Sequence, residues 1–104
     1  MPVTTIGAAL VHVDAEGFLT DYDEWDEPLA IQLAAQIGIE MTDAHWKPIR
    51  FLRQDFRNEG ETATLRRVST QAAIPVKELF VLFPGKPAKK MAYIAGLPKP
   101  HGCV

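Results

Sequence analysis

The sequence predicts an α+β fold: a small N-terminal antiparallel β-meander packed on about five helices, with an extended C-terminal arm. Two changes of pattern predict it. Near the N-terminus, Ala9, Val11 and Val13 alternate with Leu10 and His12, the period of a half-buried strand. From residue 28 onward the apolar residues recur at spacings of three and four, the period of helices with one buried face. The arm is predicted by the last nine residues, 96–104. Their two prolines and two glycines suit neither a helix nor a central strand and favour an extended, polyproline-like path.

Composition sets the class. The chain has 104 residues, 47% hydrophobic and 23% charged, which fits one globular domain with a modest core. We place that domain at residues 1–95 and a swinging arm at 96–104. No apolar run reaches the roughly 18 residues of a membrane span, and the N-terminus lacks the blocks of a signal peptide. A single cysteine excludes an intrachain disulfide and fits a reducing cytoplasm, the expected location. Net charge is −2 but uneven. Residues 1–60 hold eleven acids and four bases (−7), and residues 61–104 hold two acids and seven bases (+5). The thiol therefore lies in the basic part, where a positive field favours a thiolate and attracts an acidic partner.

In chain order, residues 3–19 read as a hairpin or small meander, with Gly7 and the Asp14–Gly17 stretch as turns. His12 reads as a strand surface residue. Residues 20–28 form an acidic linker without the ligand spacing of a calcium loop, with Trp25 anchored in the core and Asp26 capping the next helix. Residues 28–37 form a helix through Leu29, Leu33 and Ile37, ended by Gly38. Residues 42–59 form the longest helix, with Thr42 as N-cap and Trp46, Ile49, Leu52 and Phe56 on one face. Pro48 in its interior predicts a kink or a later start. His45 reads as a polar residue at the helix start, and Arg50, Arg53 and Arg57 as a solvated stripe.

After Gly60 a helix is expected over 62–73. With its predecessor it resembles a helix-turn-helix, with Arg66 and Arg67 on the second member. Net negative charge and a pI near 5.9 argue against nucleic acid as a partner. Pro75 opens a short helix or turn through the apolar run 79–83, which reads as core. A last helix spans 87–95, with Met91, Ile94 and Tyr93 turned inward and Gly96 as C-cap. From Gly96 to Cys103 an extended path reaches roughly 20 Å. The lone thiol is then a group presented to a partner, or else part of a frayed end or a small buried apolar residue.

Several of these stretches resemble one family. The sequence Ala95-Gly96-Leu97-Pro98-Lys99-Pro100, with Ala88-Lys89 before it and Gly102-Cys103-Val104 after it, is similar to the C-terminus of the DsrC/TusE sulfur-carrier proteins. The segment 13–19, Trp25, Thr42, His45-Trp46, Phe51-Leu52-Arg53 and Leu82-Phe83-Pro84 extend the resemblance over nearly the whole chain. It implies a relay protein that accepts sulfane sulfur as a persulfide on Cys103. Such a protein is a sulfurtransferase-type carrier, not a stand-alone enzyme, and needs no cofactor or metal. The implied partners are relays of the TusBCD or DsrEFH kind, with sulfite reductase a further candidate. The pathway is dissimilatory sulfur metabolism or tRNA thiolation. Lys89, Lys99, His101 and Arg66 are candidates to stabilise the thiolate or dock a partner; Arg66 matches an arginine that family members place near the docked arm.

The chain departs from the family pattern in two places. Ala92 stands where sulfite-reductase-linked members carry a second cysteine, which the TusE type also lacks. The connection between Ala72 and Leu82 is several residues shorter than in either type. These departures support two rivals: a regulatory or docking protein that keeps the family fold, and, from the paired helices, a DNA-binding regulator.

Overall fold

The computed structural model describes residues 3–6 and 9–100. Among them are two strands, β1 (Val3–Ile6) and β2 (Ala9–His12), a 3-10 turn (Tyr22–Glu24) and five helices. The helices are α1 (Glu27–Gln36), α2 (Asp43–Glu59), α3 (Leu65–Gln71), α4 (Val76–Leu82) and α5 (Pro87–Ile94). The strands pair antiparallel with Val3 opposite His12 and Ile6 opposite Ala9, and a bridge between Val13 and Leu19 extends the ribbon. The expected α+β class and the meander are both present.

Val11 and Val13 face inward, while Leu10 is 69% exposed, as the period-two pattern requires. The ribbon packs on α1 through Ile6, Val11, Val13, Leu19, Leu29 and Leu33. A second, larger cluster joins α2 to α5 around Ile49, Leu52, Val68, Leu79, Phe83, Met91 and Ile94. Trp25 and Tyr93 touch both clusters, so they tie the ribbon to the helical layer.

Four sequence expectations need correction. Helix α2 begins at Asp43 despite Pro48, which is fully buried inside it; the later start does not occur. Helix α3 begins three residues later than expected because Thr64 caps it, its hydroxyl accepting the Arg67 N–H at 3.2 Å. The apolar run 79–83 is only partly core. The helical repeat turns Leu79 and Phe83 inward and leaves Phe80 and Val81 exposed. Finally, Arg53 does not belong to a solvated stripe.

Candidate functional site

The stretch expected to form the arm, residues 96–104, begins at the end of α5, where the last carbonyls of any helix lack intrahelical partners. Here every one of them is taken. The Ala95 N–H bonds the Met91 carbonyl at 2.9 Å, Gly96 N–H that of Tyr93 at 3.3 Å, and Leu97 N–H that of Ala92 at 3.0 Å. This is the paired pattern of a Schellman cap, with Gly96 at φ +68°. Two side chains supply the rest. The Trp25 indole N–H donates to the Ile94 carbonyl at 2.8 Å, and the Arg53 guanidinium donates to the Ala95 carbonyl at 3.0 Å.

Arg53 also donates to the Tyr22 carbonyl at 2.9 Å. Its guanidinium carbon lies 3.7 Å from the Tyr22 ring centre and 4.2 Å from that of Trp25. The cation thus lies over two aromatic rings, and the Tyr22 hydroxyl donates back to the Arg53 carbonyl at 3.0 Å. Partial burial lowers the Arg53 pKa from its ordinary value, while Tyr22 and Asp23 oppose the shift. Sequence reasoning missed this role. The available signal was the position of Arg53 next to Leu52 and one turn from Ile49 and Phe56, at the edge of the buried face, where a long side chain can run inward.

Beyond the helix, Leu97 is fully buried and the Pro98 carbonyl accepts the Thr62 hydroxyl at 2.7 Å. Thr62 is itself buried. Lys99 reaches Glu16 at 3.3 Å, an exposed pair at the start of the ribbon's second turn. Burying Leu97 is worth about 2 kcal/mol, whereas an exposed ion pair gives at most about 1 kcal/mol, so the apolar plug dominates the anchoring.

Beside this stem lies a groove of about 530 Å³, lined by Phe18 and Tyr93 and rimmed by Lys86, Lys89, Lys90 and Glu16. The Phe18 and Tyr93 rings meet edge to face at 5.7 Å, and burial raises the Tyr93 pKa. Lys90 donates to the Pro84 carbonyl.

Of the predicted site residues, Lys89 lines the groove, and Lys99 pairs with Glu16, one of its lining residues. Arg66 is exposed on α3. Cys103 and His101 lie outside the described residues. Ala92 is fully buried in α5. Arg67, the other arginine of the supposed recognition helix, is spent internally: it holds the buried Asp55 carboxylate through contacts of 2.7 to 3.1 Å. His45 is buried between α2 and α4. Its Nδ1 accepts the Thr42 N–H at 3.2 Å, and its Nε2 donates to the Leu82 carbonyl at 2.9 Å. Among the described residues no cluster of three metal-ligating side chains occurs, and no helix is long and apolar enough to cross a membrane.

Comparison with known proteins gives a consistent picture. A family profile described as "DsrC like protein" matches residues 5–104. The protein named "Sulfurtransferase TusE" from Photorhabdus laumondii is 36% identical over 101 residues, covering 90% of this chain and 91% of that protein. The solution structure of Allochromatium vinosum DsrC superposes with a TM-score of 0.84 at 32% identity, covering 98% of this chain and 97% of that one. The oxidized gamma-subunit of the dissimilatory sulfite reductase (DsrC) from Archaeoglobus fulgidus gives 0.80 at 38% identity, covering 99% and 100%.

Proposed function

This chain belongs to the DsrC-like protein family, and on that premise we propose that it is a sulfur carrier that bears its cargo as a persulfide on Cys103. The observation that carries the proposal is the similarity, over 90% of the chain, to a protein named a sulfurtransferase, combined with a single thiol next to the last residue.

The chemistry balances without a redox partner. The Cys103 thiolate attacks the outer sulfur of a donor persulfide. A bond forms between Cys103 Sγ and that sulfur, the donor's S–S bond breaks, and the donor leaves as a thiolate. Transfer onward repeats the step in the other direction, with an acceptor thiolate as the attacking group. A free thiol with a pKa of ~8.5 is only slightly ionised at neutral pH, so positive charge near it raises the reactive fraction. Lys89, Lys99, His101 and Arg66 are proposed to supply that charge or to meet an acidic partner. Persulfide-bearing relay proteins of the TusBCD or DsrEFH kind are the proposed donors and acceptors, in a reducing cytoplasm. The end use lies in dissimilatory sulfur metabolism or tRNA thiolation.

The sole cysteine also limits the chemistry. No second thiol exists to form an internal disulfide, and Ala92 occupies its place in the resemblance. This favours one-thiol relay over a redox cycle between two thiols. It also supports a second reading, a docking protein whose arm engages sulfite reductase without moving sulfur.

The test is transfer of radiolabelled sulfur from a persulfide-charged cysteine desulfurase, followed on a non-reducing gel. The carrier reading expects reductant-sensitive label on the wild type and none on Cys103→Ser. Equal label on both, or none on the wild type even with a relay protein present, overturns it and favours the docking reading.

A further inference from the structure

We propose that Arg53 is a positioning residue for the arm: by bridging the Tyr22 and Ala95 carbonyls it holds residues 94–98 as a fixed stem and so sets where Cys103 can be presented. The functional consequence rests on the sulfur-carrier reading; the geometric claim stands without it.

The stem is held from three separate parts of the chain. Trp25, before α1, takes the Ile94 carbonyl. Arg53, in α2, takes that of Ala95. Thr62, before α3, takes that of Pro98. Between them Leu97 is sealed in the helical core. Gly96 lies so close to the indole that an added Cβ would stand 2.5 Å from Trp25 Cδ1. Water could solvate the exposed end of a helix; here the protein's own donors fix its direction instead.

Arg53 is central because one planar fork satisfies two carbonyls while it packs over two aromatic rings. A lysine keeps the charge but is a point donor, and it cannot span both carbonyls while stacking.

The consequence is a shorter swing. From Ala95 to Cys103 is eight residues, about 25 Å in an extended path; from Pro98 it is five, about 16 Å. The volume swept scales with the cube of the reach, so fixing the stem raises the effective concentration of the thiol near a docked partner roughly fourfold. A partner must therefore bring its sulfur to within about 16 Å of Pro98.

The sole cysteine permits a clean test. A nitroxide on Cys103 and a second on Asn58→Cys, on the exposed side of α2, report the spread of distances by pulsed electron resonance. Arg53→Lys is expected to widen the distribution, by at most about one and a half times, the ratio of the two reaches, because Trp25, Leu97 and Thr62 still hold the stem. The core variant Ile49→Val, which loosens the fold without touching the stem, is expected to leave it alone. An unchanged width in folded Arg53→Lys overturns the proposal, as does equal widening in Ile49→Val. If Arg53→Lys does not fold, Thr62→Val takes its place with the same two outcomes.

Loading by inorganic polysulfide, read by mass in the single-cysteine proteins, separates the two readings. The stem proposal expects Arg53→Lys to load at the wild-type rate. A slower rate in Arg53→Lys alone would place Arg53 in the thiol's chemistry and overturn a purely positioning role. Failure of every variant to load counts against the carrier reading and leaves the distance result intact.

Discussion

Gly96 carries two constraints at once: a left-handed backbone, φ +68°, and an indole where a side chain would go. Either alone would disfavour substitution. Together they predict that Gly96→Ala loses on the order of 3 kcal/mol of folding stability, from the left-handed penalty and the clash combined. Urea denaturation measures this, and a loss below about 1 kcal/mol would show that the indole can move aside. The glycine was legible in the sequence as a helix stop, because the apolar spacing ends there. The indole against it was not, because residues 25 and 96 are joined only by the tertiary fold. Arg53 teaches the same lesson from the other side. Its spacing from Arg50 and Arg57 suggested a solvated row, and only the tyrosine and tryptophan that close over it reveal its use.

Among the elements, the connection from α3 to α4 is informative. Its cap resembles the one on α5: Ile74 N–H bonds the Ser69 carbonyl at 3.1 Å, but Ala73, not glycine, takes the left-handed position at φ 57°. Ala73 is exposed, so Ala73→Gly should raise stability by up to about 1 kcal/mol, the relieved backbone strain less the added freedom of the unfolded chain. A lower melting temperature for this variant would contradict that reading. The joint between α2 and α3 depends instead on charge. Asp55 is only 6% exposed and its described partner is Arg67, so Arg67→Met strands a buried carboxylate. Because Arg67 is itself 39% exposed, the expected loss is on the order of 2 kcal/mol, less than for a fully buried pair. A loss of that size, regained on adding Asp55→Asn, would assign Arg67 to structure and remove the main support for a recognition helix. No loss would reopen the DNA-binding alternative. Sequence periodicity placed α1, α2 and α3, whereas the continuous apolar run of α4 left a helix and a turn equally open. It misplaced the start of α3 because the role of Thr62 depends on Pro98, thirty-six residues away.

The described residues form two apolar clusters joined by Trp25 and Tyr93, with a stem pinned across the joint. The α+β layout was readable from the change of period after the ribbon, and the candidate thiol from its isolation at the end of the chain. The base of the arm was not readable, because it is assembled from four segments far apart in sequence. On the proposed function, chemistry and geometry divide in this chain: sulfur would be handled by one residue, and its presentation by the folded body. The most direct test of that account is intact-mass spectrometry of the wild type and Cys103→Ser after exposure to a persulfide donor. The account predicts that the wild type alone gains one sulfur atom and loses it to a reductant. The same gain in Cys103→Ser, or no gain in the wild type even with a relay protein supplying the persulfide, would contradict it.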